Sequence, residues 1–205
     1  VINTIPNQAD GTLALADLEK ALRLPEDIHQ PISKIIILEN TQNDCGGVPL
    51  SVKYCDTVGE FAHAHSLVLH LDGARIFNAA ISLNVQVSDL TRTVDSVTFC
   101  LSKGLCAPVG SVLCGSNEFI TKARRLRKML GGGMRQAGIL AAAGLERLKL
   151  LQWLNKPMDI AEILPAVGQG ALGIEYAAKR VDIQKILEPL NHPTSAACVL
   201  AERTM

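Results

Sequence analysis

Lys103 is the residue whose surroundings most strongly suggest chemistry. It follows an apolar run and lies among small neighbours in the stretch "TFCLSKGLCAPVGS", residues 98–111. Lysine is rarely buried without a partner, because a buried ammonium is costly unless it is paired. Burial favours the neutral amine, which is a nucleophile. The position therefore predicts a desolvated, reactive lysine, although a solvated lysine in a glycine-rich loop remains the structural alternative.

Polar side chains follow three apolar runs that are typical of buried strands, namely "KIIIL" (34–38), "LVLHL" (67–71) and "SVTFCL" (96–101). The groups that follow the three runs are, in chain order, Glu39, Asn40 and Asn43; Asp72 and Arg75; Ser102 and Lys103. Because parallel strands end at the same edge of a sheet, we expect these groups to lie close together, where ligands bind in such sheets.

A lysine, a carboxylate and an arginine at one sheet edge are the groups that pyridoxal 5'-phosphate chemistry requires. Lys103 would hold the aldehyde as an imine, and Asp72 would keep the pyridine nitrogen protonated. Arg75 would bind a substrate carboxylate through two parallel hydrogen bonds. A structural alternative stays open for Asp72, since an Asp–Gly pair is common in turns and Asp72 with Arg75 could form a surface ion pair.

Strand and helix patterns alternate along the chain, which predicts an α/β fold with a mostly parallel sheet and flanking helices. "LALADLEKALR" and "SVKYCDTVGEFAHAHS" have helical spacing, and "GSVLCG" (110–115) is a fourth, short strand. A further helix is expected from Ser116 to Leu130, capped by Ser116 or Asn117. "GGGMR" (131–135) interrupts it, and a new helix is expected from about Met134.

Composition excludes several function classes. The 205 residues are 48% hydrophobic, with 20 basic and 20 acidic side chains. This balance argues against nucleic-acid and membrane-surface partners, and no apolar run reaches the roughly 18 residues of a membrane span. The six cysteines form no CxxC pair and have no histidine at zinc spacing, so we expect reduced cysteines, no metal site and a cytoplasmic protein.

Residues 1–145 resemble the L-threonine aldolases, which are fold-type I pyridoxal phosphate enzymes. The stretches that carry the resemblance are "PNQADGTLALADLEKAL", "LENTQN", "HLDGARIFNAA", "VDSVTFCLSKGLCAPVGSVL" and "RKMLGGGMRQAG". The resemblance implies part of a fold-type I large domain and retro-aldol cleavage of L-threonine or allo-threonine to glycine and acetaldehyde. It also implies a small amino-acid substrate and a homo-oligomer.

By this resemblance, Lys103 is the Schiff-base lysine and Asp72 is the partner of the pyridinium nitrogen. Arg75 faces the cofactor or the substrate, and Arg135 helps to complete the site, in the same or a neighbouring subunit. Gln42 stands where the family usually has a substrate-facing histidine. Glutamine can still hydrogen-bond to a substrate hydroxyl but cannot carry a proton at neutral pH.

The resemblance covers only part of the family's length. We expect the phosphate-anchoring loop and a histidine that stacks on the cofactor to precede Val1 in the family's sequence, and the family's C-terminal domain to be missing. Two hypotheses therefore stay open for residues 1–145: a working aldolase site, or a catalytically inactive remnant of one.

Residues 146–205 resemble a different family, hydroxymethylbilane synthase, also called porphobilinogen deaminase. "ILPAVGQGALGIE" (163–175) and "PLNHPTSAACVLAERTM" carry this second resemblance, and the expected junction lies between residues 138 and 147. The resemblance implies a short α/β segment of a tetrapyrrole-pathway enzyme. The sequence thus predicts a chimera of two incomplete parts, 1–145 and 146–205, with a non-catalytic scaffold as the remaining alternative.

Overall fold

The fold is available as a computed structural model that describes residues 2–23 and 25–150, together with Lys185, Glu188 and Pro193. The elements of these residues are, in chain order, α1 (Leu15–Ala21), β1 (Ile35–Glu39), α2 (Val52–Ala64), β2 (Val68–Asp72), α3 (Ile76–Leu83), α4 (Val87–Thr91), β3 (Ser96–Cys100), β4 (Ser111–Gly115), α5 (Asn117–Met129) and α6 (Gly138–Arg147). The strands fall within the four runs that the sequence analysis selected, extended by one residue at Glu39 and Asp72.

The four strands form one sheet in the order β1-β2-β3-β4. The first three run parallel, and β4 runs antiparallel to β3. Parallel neighbours need a long crossover, and helices supply it between β1, β2 and β3. Only residues 101–110 join β3 to β4, and the Leu101 amide donates to the Gly110 carbonyl at 2.9 Å. The expected α/β fold with a mostly parallel sheet is confirmed.

One face of the sheet is covered by helices. Ile36, Leu38, Leu69 and Leu71 point to this covered face and are at most 7% exposed. They join one apolar core with residues of α2, α3 and α4, whose buried members are Cys55, Val58, Ala62, Ile76, Ala79, Ala80 and Leu90. Burial of this surface is the main force that holds the strands in register.

The other face of the sheet, called the open face below, carries the alternate residues Ile35, Ile37, Glu39, Val68, His70, Asp72, Ser96, Thr98 and Cys100. Ile35, Ile37 and Val68 are 50%, 58% and 46% exposed. The sequence analysis predicted buried strands at "KIIIL" and "LVLHL", and this is wrong for one face of each strand. The described helices bury the neighbouring residues on the covered face, and the alternation of side chains leaves these three outside.

Hydroxyl caps begin two of the longest described helices. The Ser51 side chain accepts a hydrogen bond from the Tyr54 amide at the start of α2. At the start of α5, the Ser116 side chain accepts from the Phe119 amide, as the sequence predicted. The expected start of α6 near Met134 is wrong, because the helix begins at Gly138 after a non-helical stretch in which Gly131 has φ +79°.

Helix α6 crosses the predicted junction of the two family resemblances, and the features predicted for residues 151–205 lie outside the described residues, apart from Lys185, Glu188 and Pro193. Among the residues described, no helix has the length and apolar character needed to cross a membrane.

Helices α2 and α4 are joined by an ion pair at the covered side of the sheet. The Arg92 guanidinium donates to Asp56 through Nε, at 2.8 Å from Oδ1, and through its second nitrogen to Oδ2. These hydrogen bonds hold the pKa of Asp56 below its ordinary value. Gly59 of α2 lies against Thr93, whose Cβ would be 2.5 Å from a side-chain carbon placed on the glycine.

Candidate active site

The carboxyl ends of β1, β2 and β3 meet at one edge of the sheet. Asp72 is the register partner of both Glu39 and Thr98. Backbone hydrogen bonds extend the strand pairing beyond this point: the Asn40 amide donates to the Asp72 carbonyl at 2.9 Å, and the Gly73 amide donates to the Thr98 carbonyl at 2.8 Å. The structure therefore aligns Glu39, Asp72 and Thr98 across the three strands, and β3 continues two residues further, to Cys100, before the turn that holds Ser102 and Lys103.

Asp72 is half-buried and lines a cavity of about 720 Å³ that runs along the edge strand β1. Its Oδ1 accepts a hydrogen bond from the Ala74 amide at 3.1 Å, and Oδ2 has no hydrogen-bond partner among the described residues. The turn after Asp72 requires glycine, since a Cβ on Gly73 would be 2.9 Å from the Thr98 carbonyl oxygen. One carboxylate oxygen is thus fixed and the other is available to a ligand.

Lys103 lies in the turn that follows β3, and its side chain is exposed. The expectation of a desolvated lysine is therefore wrong for this structure, because the backbone leaves the sheet at Leu101 and carries the side chain outward. The Lys103 carbonyl accepts from the Cys106 amide at 3.0 Å, and the Lys103 amine donates to Cys100 Sγ at 3.4 Å. No hydrogen bond or ion pair joins Lys103 to Asp72 among the described residues.

The turn of Lys103 is nevertheless tied to the end of β2. The Cys100 amide donates to the Ala74 carbonyl at 3.4 Å, two residues beyond Asp72. A Cβ placed on Gly104 would be 2.5 Å from Oδ1 of Asn78, in α3. Asp72 and Lys103 are therefore attached to one hydrogen-bonded edge, although no described contact joins their side chains.

Arg75 and Arg135 differ in their relation to this edge. Arg75 is the half-buried N-cap residue of α3, three residues after Asp72. Arg135 is exposed in the segment between α5 and α6. The described ion pairs are Lys20–Asp17, His63–Asp95, Arg92–Asp56 and Lys122–Glu118. The alternative pairing of Asp72 with Arg75 is therefore not among them, and no described contact brings Arg135 to the site.

Gln42 lines the same cavity as Asp72, but its amide is already engaged. The side chain is 5% exposed. Its Nε2 donates to Oε2 of Glu39 at 3.2 Å, and its Oε1 accepts from the Cys45 amide at 2.7 Å. The predicted contact of Gln42 with a substrate would have to replace or share these hydrogen bonds.

His70 of β2 is a further polar group near the edge. It lies on the open face two residues before Asp72. Its Nδ1 is 2.8 Å from Ser96 Oγ, and its Nε2 is 3.4 Å from Thr98 Oγ1. Burial lowers the pKa of His70, while the negative charge of Asp72 acts in the opposite direction. Both ring nitrogens thus have partners, and the half-buried histidine forms part of the polar end of the open face.

Cys100 is the residue near the site that we did not predict as a member. It lies at the end of β3, in line with Ser96 and Thr98 on the open face, and touches the Lys103 amine. The spacing "CLSK" and the two-residue alternation of β3 are the signals that could have identified it.

The chemistry of these donors fits pyridoxal 5'-phosphate. Lys103 offers an accessible primary amine, and Oδ2 of Asp72 can accept a hydrogen bond from a protonated ring nitrogen. Both are carried by adjacent parallel strands, at the edge where ligands bind in such sheets. Among the described residues, no group of histidine, cysteine and acidic side chains could hold a metal ion.

Comparison with known proteins identifies the family of the chain. The model of the family described as beta-eliminating lyase matches residues 1–177. The match runs past the predicted junction, and the comparisons give no support for a hydroxymethylbilane synthase segment.

Relatives and solved structures agree with the family match. The chain is 52% identical over 147 residues to low-specificity L-threonine aldolase 1 of Arabidopsis thaliana, covering 71% of this chain and 41% of that protein. It is 49% identical over 141 residues to the low-specificity L-threonine aldolase of Escherichia coli K12, covering 69% and 41%. The structure of threonine aldolase from Leishmania major matches with a TM-score of 0.58 and 25% identity, over 70% of this chain and 42% of that one.

The share of each chain that a match covers decides what the match shows. The chain spans about two fifths of the length of the curated relatives it matches. The family model, by contrast, covers well over half of this chain, and it includes all four strands and both Asp72 and Lys103. The chain therefore belongs to the beta-eliminating lyase family.

Proposed function

We propose that this chain supplies the lysine and the carboxylate of a pyridoxal 5'-phosphate-dependent aldolase that cleaves L-threonine or allo-threonine to glycine and acetaldehyde. The proposal rests on the positions of Asp72 and Lys103 at one edge of the sheet. Asp72 ends β2, and Lys103 lies in the turn that follows the adjacent parallel strand β3. The relatives named as low-specificity L-threonine aldolases support the choice of substrate. Because the chain covers 41% of those relatives, the activity is proposed for the whole protein.

The cofactor, when bound, supplies an aldehyde that condenses with amines and a ring that accepts electrons. Lys103 would hold it covalently through its exposed amine. Asp72, fixed by the Ala74 amide through Oδ1, would accept a hydrogen bond from the ring nitrogen through Oδ2 and so retain a proton there. Asp72 would thus use Oδ1 to hold its own side chain in place and Oδ2 to bind the cofactor.

Arg75 and Gln42 are the proposed substrate-binding residues. Arg75, at the start of α3, carries a guanidinium that can bind an amino-acid carboxylate through two hydrogen bonds. Gln42, held by Glu39 and Cys45, would present its amide to the substrate hydroxyl by sharing one of these hydrogen bonds. Gln42 orients this hydroxyl but cannot take its proton.

The remaining features of the proposal concern the assembly. We propose a cytoplasmic homo-oligomer in which Arg135 reaches a neighbouring subunit's site, since Arg135 is exposed and no described hydrogen bond or ion pair joins it to Asp72 or Lys103. The alternative function, a tetrapyrrole synthase segment in residues 146–205, rests only on its sequence motifs. Consumption of porphobilinogen by the purified protein would be needed to support it.

Reductive trapping tests the proposal. The protein is mixed with pyridoxal 5'-phosphate, reduced with borohydride and mapped by mass spectrometry. We expect the adduct on Lys103, its loss in Lys103→Met, and its retention in the matched control Lys122→Met, which removes an exposed lysine of α5. Adducts distributed over surface lysines, unchanged by Lys103→Met, would contradict the proposal. Release of acetaldehyde from threonine by the full-length protein tests the reaction itself.

A further inference from the structure

Cys100 occupies a specific place beside the lysine turn. It ends β3 and is the register partner of Ser111, the first residue of β4. Its sulfur is 3.4 Å from the Lys103 amine and 3.6 Å from the Ser111 hydroxyl. The thiol therefore joins the end of β3, the beginning of β4 and the lysine that lies between them.

The backbone of this turn is fixed, but the lysine side chain is not. Residues 101–110 are closed by hydrogen bonds from Leu101 to Gly110 and from Ala107 to Leu101. The Lys103 side chain leaves this closed loop on a flexible four-carbon stem, which has many rotamers in water. Its single side-chain hydrogen bond within the described residues is the one to Cys100.

We propose that Cys100 is a positioning residue for Lys103. Its sulfur accepts a hydrogen bond from the Lys103 amine, the Ser111 hydroxyl orients the sulfur, and the amine is kept at the sheet edge that carries Asp72. The role of Lys103 in holding a cofactor rests on the proposed function, whereas the contact between the thiol and the amine does not.

The weakness of a thiol as an acceptor suits this role. A carboxylate at position 100 would bind the ammonium as a charged pair and keep it protonated. A thiol sulfur accepts only weakly, so it can orient the amine and still release it to an aldehyde. The Cys100 sulfur also shares the open face with Thr98 and Ser96, so the amine is held on the side of the sheet that Asp72 faces.

Acetylation without cofactor tests the contact. The protein is treated with a limiting amount of an acetylating reagent, and mass spectrometry gives the ratio of acetylation at Lys103 to that at Lys53, an exposed lysine of α2. We expect Cys100→Ala to raise this ratio about threefold, as for loss of a hydrogen bond at the weak end of the usual range. Cys100→Ser, which keeps an acceptor, should retain the wild-type ratio, and so should the control Cys114→Ala. An unchanged ratio in Cys100→Ala would overturn the proposal.

Reductive trapping with pyridoxal 5'-phosphate supplies the second measurement. Cys100→Ala should lower the trapped fraction at Lys103 about threefold while acetylation rises, and Cys100→Ser should restore both. If Cys100→Ala does not fold, judged by its urea unfolding curve, Ser111→Ala removes the orienting hydroxyl and should shift both measurements in the same directions.

The two proposals fail in different ways. Absence of any wild-type adduct at Lys103 would overturn the proposed function, and the acetylation ratio would still decide whether Cys100 positions the amine. Normal trapping at Lys103 in Cys100→Ala would overturn the positioning role and leave the proposed function intact.

Discussion

Ile36 and Leu38 are 7% and 3% exposed, whereas Ile35 and Ile37, which alternate with them on β1, are 50% and 58% exposed. The same contrast exists on β2, where Leu71 is fully buried and Val68 is 46% exposed. The covered face is apolar along its whole length. The open face changes from apolar side chains at the start of the strands to His70, Asp72, Thr98 and Cys100 at their carboxyl ends.

The two faces of the sheet therefore have different roles: the covered face stabilises the fold, and the open face carries the candidate site. The covered face supplies the buried apolar area that fixes the register of the strands. The open face uses that register to place Asp72 beside Thr98 and to bring the Lys103 turn to the same edge. Substitutions on the covered face should therefore lower the free energy of unfolding, whereas those at the polar end of the open face should mainly change ligand binding.

The largest expected effect is a cavity on the covered face. Leu71→Ala should lower the free energy of unfolding by about 3 kcal/mol, because it removes a fully buried side chain from the core. Val68→Ala, on the open face of the same strand, should lower it by about 1 kcal/mol or less. Urea unfolding monitored by circular dichroism measures both values. Equal losses would mean that the two faces are equally covered in solution.

A smaller loss is expected where α2 packs over the loop before β3. Gly59→Ala should lower the free energy of unfolding by about 1–3 kcal/mol, since the new methyl group would overlap Thr93. Gly138→Ala is the matched control, because no atom lies within 4 Å of its added Cβ and alanine favours a helix. The same urea experiment gives both numbers, and a Gly59→Ala variant as stable as the control would contradict this packing.

The smallest effect concerns the pH dependence at His70. Burial lowers the pKa of His70, so its contribution to stability is complete above the ordinary value of 6.5 and is lost as the pH falls toward the folded pKa. His70→Gln should therefore lose less stability than the wild type between pH 7.5 and pH 5. Unfolding curves across this range test it, with His29→Gln, on an exposed loop, as the control. Identical slopes for wild type and His70→Gln would show that burial does not disfavour its charged form.

The sequence predicted most of the fold because its strands are short apolar runs and the start of α5 carries a clear cap. "KIIIL", "LVLHL" and "SVTFCL" locate β1 to β3, and Ser116 locates the start of α5. It did not predict the open face. A continuous apolar run shows only that both faces of a strand could be buried. Which faces are buried depends on the elements that pack on each side of the sheet.

The sequence likewise predicted only part of the candidate site. The convergence of the strand ends follows from parallel order, which chain order and crossover helices largely determine. The exposure of Lys103, the internal hydrogen bonds of Gln42 and the contact with Cys100 depend on backbone paths through turns, such as the one closed between Leu101 and Gly110. Sequence spacing carries little information about such paths.

The most direct measurement is the affinity for pyridoxal 5'-phosphate after substitution of Asp72. The fraction of protein trapped by borohydride at Lys103 is followed as the cofactor concentration rises, in wild type, Asp72→Asn and the exposed-site control Asp44→Asn. With Asp72 accepting a charge-assisted hydrogen bond from the ring nitrogen, Asp72→Asn should need about tenfold more cofactor and Asp44→Asn should match the wild type. Half-saturation of Asp72→Asn at the wild-type concentration would mean that Asp72 and Lys103 do not hold one ligand between them.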